Sequence, residues 1–386
     1  MAFVRYQGTN PGLAPEIVRQ PGVTAVYRWN ETTREGDNLG SRYMFATPFG
    51  GGFFLGPHHG NGNAYLVRPG DDGRSPAREK IDLGDRVGDM ALYGEGGDTI
   101  DVGGRGRIYR FGARPFRVAA DIPVTGCSDG DAPGAFGPGI VNMIRRDRAT
   151  GSLFASRDVG KAVVRLDPEN PSGAVCSPPL PPARWTWDVA VDSPSRRHYI
   201  SVSDFFGWSV WEGDNETMGR IREARLPGAL GFFIDADERG RRILAASLFS
   251  GELIWISMDD LSVVKRLPLG FGVRDLTVDE KRRRVYVSNY FRGALTAVNL
   301  DRFEPVGRLF FGPILRKANI GPDGEQLAVR SSAGIFAVRI DEAFPPTADE
   351  PEALDGRESF FGRAFRALLV RTTIPTFPLL IDYWKE

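Results

Sequence analysis

The chain has 386 residues, 41% hydrophobic and 25% charged, which excludes the disordered and fibrous classes and allows a large core. Its 49 basic and 49 acidic residues leave a formal net charge of zero, removing the global attraction expected of a nucleic-acid binder. No window reaches the ~18 uninterrupted apolar residues needed to span a bilayer.

Residues 1–22 read as an N-terminal arm without the apolar centre of a signal peptide. A cytoplasmic protein, a mature form and a soluble part of something longer all remain open on that evidence. The segment "VTAVYRW" (23–29) reads as a strand belonging to no repeat of its own. A first, irregular unit follows in "YMFATPFGGGFFLG", "NAYLVRPG" and "AREKIDLG". Later units are plainer. "VAVDSPSRRHYISVSDFFGWSVWEG" (189–213) recurs as "FIDADERGRRILAASLFSGELIWIS" (233–257), "LTVDEKRRRVYVSNYFRGALTAVNL" (276–300) and "ANIGPDGEQLAVRSSAGIFAVRI" (318–340). Each copy is strand, polar turn, strand, turn and strand, and most continue into a fourth strand such as "VVKRLPLG". Four short strands in a unit of roughly 42 residues mark a propeller blade, a sheet that buries both faces only between neighbours.

The positions beginning the first strands are Asp89, Asn142, Asp188, Phe233, Asp275 and Lys317, spaced by 53, 46, 45, 42 and 42 residues. The longest interval holds the loop-like insertion "CSDGDAPGAFGPG" (127–139). With the first unit these make seven. The seventh lacks an obvious fourth strand, so residues 23–29 are expected to supply it and close the ring. The expected fold is therefore all-β: one seven-bladed propeller of four-stranded antiparallel blades over 23–341. Beyond it, 342–358 reads as a Pro- and acid-rich linker, and 359–386 as a helical and extended tail. In "FFGRAFRALLV", Phe361, Phe365 and Leu368 recur at helical spacing among arginines. That helix either docks on the propeller itself or meets a partner or membrane surface.

At "RRVYVSNYFRGALTAVNL" the sequence resembles the YVTN type of bacterial β-propeller repeat, most closely over Val285–Leu300. The resemblance implies a seven-bladed propeller, often exported to the periplasm or cell exterior and often without catalysis. More distantly the chain is similar to the lactone-hydrolysing propellers, which bind a divalent cation at the channel mouth. That likeness implies Ca²⁺ or Mg²⁺ and points to Asn142 and Asp188 as matching ligands. Their N-terminal metal-binding Glu has no match here, and the closest such enzymes have six blades.

From the residues alone, the first-strand positions ring one channel mouth, placing Asp89, Asn142, Asp188 and Asp275 together as oxygen ligands suited to Ca²⁺ or Mg²⁺. Lys317 shares the ring and could neutralise one acid. Asp101, Asp158, Asp204 and Asn289 are expected nearby, on turns between second and third strands. The competing expectation is that these groups hydrate the channel and hydrogen-bond neighbouring blades. Adjacent His58 and His59 point to opposite faces if extended, and with only His198 elsewhere no multi-histidine centre forms. No Walker A sequence or GxSxG elbow is present. The turn "SDFFGW" offers Phe205, Phe206 and Trp208 as interface anchors, against a plain packing role. Cys127 and Cys176 lack metal-site spacing, and both one disulfide and two thiols fit. The leading expectation is a binding scaffold for a protein or small ligand; the alternative is a metal-dependent hydrolase of lactones or similar esters.

Overall fold

The computed structural model describes residues 11–28, 44–57, 62–68, 77–85, 87–88, 91–124, 141–157, 160–181, 184–204, 207–226 and 231–345. These build seven antiparallel sheets of four strands each. Six blades run in chain order from their inner strands: Met44–Phe49, Ala91–Tyr93, Val141–Arg146, Trp185–Asp192, Gly231–Asp237 and Val273–Asp279. The seventh contains Asn319–Ile320, Gln326–Ser331 and Gly334–Arg339, and its outermost strand is Val23–Arg28. Val23 pairs with Val338 and Thr24 with Ala337, so the start of the chain closes the ring as its sequence implies.

Alternation within each strand presents one apolar row to each neighbouring blade, and the core is divided accordingly between adjacent sheets. Tyr199, Trp208 and Val210 of the fourth blade meet Ile234, Ile243 and Ile254 of the fifth. The fifth meets the sixth through Leu244, Leu253, Val285 and Val298. Of the N-terminal arm, Ala14 and Ile17 are fully buried against the seam of the sixth and seventh blades. Gln20 pairs with the backbone of Phe310, donating at 2.6 Å and accepting at 2.7 Å, much as a further strand would.

The described chain runs past Asp341 in contact with the propeller: a short helix spans Ile340–Ala343, and Phe344 is buried against Tyr286 with ring centroids 5.5 Å apart. Arg284 donates to the carbonyls of Phe344 and Pro345, which holds the first residues assigned to the linker. Cys176 is disulfide-bonded, and Cys127, the other cysteine, lies outside the described residues. Phe361, Phe365 and Leu368 lie outside them as well.

Candidate functional site

The inner strands of blades three to six each carry a β-bulge near their start. Beyond the bulge, Met143 pairs with Ser156, Asp188 with Ser201 and Asp275 with Ser288. Met143 therefore holds the place that spacing assigns to Asn142, which is the bulged residue one step earlier. The side chain of Asn142 and all of Asp89 lie outside the described residues.

Asp188 is fully buried and is held from three blades. Its Oδ1 accepts Val189 N–H at 2.8 Å, and its Oδ2 accepts Ile234 N–H of the next blade at 3.1 Å and Arg145 Nη2 of the preceding one at 3.4 Å. Arg145 also donates to the Ile234 carbonyl at 3.3 Å and lies 3.7 Å from Asp235. It thus reaches from the third blade past the fourth to the fifth. Burial raises the Asp188 carboxyl to about 6, with Arg145 and Lys317 opposing the rise. Burial and then Arg145 push the Lys317 ammonium below its ordinary range, while Asp235, Asp188 and Asp275 support its charge. Asp275 accepts Arg274 Nη1 at 2.7 Å. Neighbouring blades are joined at the same level: Ser156 donates to the Trp187 carbonyl, Ser288 to that of Arg316 and Thr277 to that of Ala318.

Above this network lies a mouth built from the turns between second and third strands. The turns at Ser247–Glu252 and Asn289–Ala294 have the same length, and both place glycine at φ +68°. A Cβ on Gly251 would stand 2.3 Å from the Gly270 carbonyl carbon, and one on Gly293 2.1 Å from that of Gly312. Only glycine permits that approach and that φ together. Asn289 fastens its turn further, donating to the carbonyls of Gly270 and Phe271 and accepting Arg292 N–H.

These constraints fix an aromatic rim. Phe249 and Phe291 occupy matching turn positions, and Phe271 sits between them at 6.1 and 5.1 Å, stacked on Phe291. Tyr290 meets Phe291 edge-on at 5.1 Å. Arg274 lies 5.0 Å from the Phe233 ring and 5.6 Å from that of Tyr290, and Arg316 lies 5.8 Å from Tyr290. Trp185 and Trp187 join the cluster from the fourth blade. Phe271 is buried, whereas Phe249, Tyr290 and Phe291 are half-buried.

Several expected site residues fall elsewhere. Trp208 is no surface anchor: it is 2% exposed, and Gly231 of the next blade packs so closely on its indole that no Cβ would fit. Phe205, Phe206, Asp158, His58 and His59 lie outside the described residues. Asp101 is buried inside its blade, bound twice by Arg110 and 3.7 Å from Arg146. Asp204 is 3.8 Å from Arg184. Among the described residues no three metal-ligand side chains converge. Asp188 and Asp275 face Arg145, Arg274 and Lys317, whose positive charges oppose a divalent ion at these two carboxylates. Spacing analysis overlooked Arg145, Asp235, Arg274 and Arg316. Alternation could have found Asp235, two residues beyond Phe233 and so on the same side of its strand, whereas Arg145 is two beyond Met143 and the bulge hides it from sequence spacing.

No protein-family model and no curated protein sequence matches the chain. Solved structures do. A streptogramin B lyase is similar at 10% identity and a TM-score of 0.58, over 83% of this chain and 98% of that one. The Kuenenia stuttgartiensis hydrazine synthase gives 11% and 0.59, over 81% and 99%. A chain of a mitotic checkpoint complex gives 12% and 0.59, over 81% and 93%. At such identities the likeness shows the propeller fold and no activity.

Proposed function

We propose that this protein is a non-catalytic binding propeller that presents the mouth described above to a protein or small ligand. The observation that carries the reading is the half-buried aromatic set Phe249, Tyr290 and Phe291, held on turns that Gly251, Gly293 and Asn289 make rigid. Pre-formed aromatic side chains of this kind supply most of the energy of a binding surface while costing little ordering entropy. The YVTN likeness of Val285–Leu300 covers one of these turns and agrees with the reading. So does the propeller of similar shape in a mitotic checkpoint complex, an assembly of proteins. The tail bearing Phe361, Phe365 and Leu368 would provide a second attachment, to a partner or a membrane surface.

The test is a Phe249→Ser/Phe291→Ser double variant, with cross-linked partners and melting compared against the unchanged protein. Loss of a specific cross-link at an unchanged melting temperature supports the reading, and retention of every cross-link refutes it. The metal-dependent hydrolase alternative rests on the equivalent channel positions of Asp188 and Asp275. A melting temperature that rises with Ca²⁺ or Mg²⁺ after EDTA treatment, and fails to rise in Asp188→Ala, would restore it.

A further inference from the structure

We propose that residues 360–371 bind an anionic lipid surface and so tether the propeller by the end opposite the mouth. The inference rests on the second attachment in the reading above and commits it to one partner. The end from which the chain departs is fixed by the fold. The third strand of the seventh blade starts at the mouth side, in the turn Ser331–Gly334, so Arg339 stands at the far end. The strand that closes the ring enters there too: Gly22, at φ +68°, lies so close that a Cβ would stand 2.8 Å from the Arg339 carbonyl oxygen and 3.0 Å from the Ala343 nitrogen. Two arginines of the sixth blade then hold the departing chain. Arg282, in a turn at that far end, forks onto Asp341 at 2.6 and 2.8 Å. Arg284 donates to the carbonyls of Phe344 and Pro345, as Arg242, the first residue of the corresponding strand in the fifth blade, donates to that of Leu300 in the sixth. Whatever follows Pro345 therefore starts on the side away from Phe249, Tyr290 and Phe291.

The partner follows from the sequence beyond that point, which lies outside the described residues. Residues 346–358 carry five acids and one arginine, whereas residues 359–381 carry three arginines, Arg363, Arg366 and Arg371, and no acid. Arginines set among Phe361, Phe365 and Leu368 suit a surface with an apolar interior and anionic headgroups. Phe377, Tyr383 and Trp384 further on are residue types that collect at a membrane interface. The acids before them are repelled by the same headgroups, so the linker acts as a spacer between surface and propeller. The propeller itself offers a poor seat. Among the described residues the exposed large apolar side chains are Ile221, Val263, Val264 and Phe310, on the outer strands of three separate blades, and the Phe310 backbone is already paired with Gln20.

The experiment is co-sedimentation of the full chain with vesicles of phosphatidylcholine alone and of phosphatidylcholine with about one quarter phosphatidylserine. Binding is expected to the anionic vesicles only. Arg363→Gln, Arg366→Gln and Arg371→Gln together should weaken it about a hundredfold, at roughly fivefold per arginine. Phe361→Ser with Phe365→Ser should abolish it, and Lys281→Gln, an exposed cation at the same end of the propeller, should change nothing. A dye attached through Lys281→Cys should transfer more energy to a headgroup-bound acceptor than one attached through Arg292→Cys on a mouth turn; equal or reversed transfer overturns the orientation. Equal binding to neutral vesicles, unchanged binding in the arginine triple variant, or no vesicle binding overturns the lipid partner. In that last case, a cross-link that needs Phe361 and Phe365 assigns the segment to a protein, and a lowered melting temperature in their double variant assigns it to the propeller's own surface. Failed vesicle binding beside a cross-link that still needs Phe249 and Phe291 sinks the tether alone, and loss of that cross-link's dependence beside intact vesicle binding sinks the mouth alone.

Discussion

Replacing His198 with asparagine should flatten the acid side of the stability curve. His198 sits on the second strand of the fourth blade, 1% exposed, with Nδ1 3.3 Å from Asn215 Oδ1. Asn215 in turn donates its amide to Asp147 Oδ2, which leaves its oxygen to accept and fixes the proton on His198 Nδ1. Nε2 has no hydrogen-bond partner. The ring is enclosed by Phe154 at 5.4 Å and by Gly213, where a Cβ would stand 2.3 Å away. A second proton would therefore create a buried charge against apolar walls, and burial holds the imidazole at about 4, below its ordinary 6.5.

Since the folded value lies below the unfolded one, the unfolded chain takes the proton first. The stability contribution is complete above pH 6.5 and is lost as pH falls toward 4. At about 1.4 kcal/mol per pH unit, the gap comes to about 3 kcal/mol. Asparagine keeps a donor near the Nδ1 position and has nothing to titrate; its smaller volume adds a cost that does not vary with pH. Denaturant unfolding of both proteins from pH 7 to pH 4 should show their difference changing by about 3 kcal/mol, the native protein losing more. The reasoning is refuted by a pH-independent difference, or by ¹⁵N shifts showing the His198 imidazole protonating near 6.5.

Asp188→Asn should tilt the comparison the other way. Its folded carboxyl lies near 6, above the unfolded 3.8, so its contribution is present below 3.8 and lost as pH rises through 6. The native-minus-variant difference should fall by about 2 kcal/mol between pH 4 and 6.5, measured by the same unfolding series. Gly293→Ala must place a Cβ 2.1 Å from backbone at a φ of +68°, so a loss of about 2 kcal/mol or more is expected in chemical unfolding, with weaker ligand binding as the turn shifts. Trp208→Ala should cost about 3–5 kcal/mol, because it empties a slot between two blades. A Trp208 variant with native melting and lost partner binding would return that residue to the surface.

The architecture was legible because a blade repeats. Strand, turn and strand recur with enough regularity that ring size and closure by residues 23–28 follow from counting. The channel was harder to read. A β-bulge inserts a residue without altering hydrophobic pattern, so spacing put Asn142 where the ladder puts Met143. Trp208 looked like part of an exposed turn because the slot that buries it belongs to Gly231 in another blade, a contact that local pattern cannot contain. Acids at ring positions suggest metal ligands, whereas Arg145, which reaches Asp188 from the preceding blade, stands 43 residues earlier in the chain, outside any local pattern.

The division of labour between channel and mouth follows from that charge arrangement. Deep in the ring, Asp188, Asp235 and Asp275 are matched to Arg145, Arg274 and Lys317, and several of the same groups also bond the backbone of a neighbouring blade. Removing either sign there leaves an uncompensated buried charge, so this layer is suited to holding blades in register and poorly suited to chemistry that must change protonation or coordination. At the mouth the rings of Phe249, Tyr290 and Phe291 are half-buried and the turns carrying them are locked by glycines. Under the proposed binding role, rings held on such turns would meet a partner without rearranging, which is why the layer below can be given over to holding the blades in register.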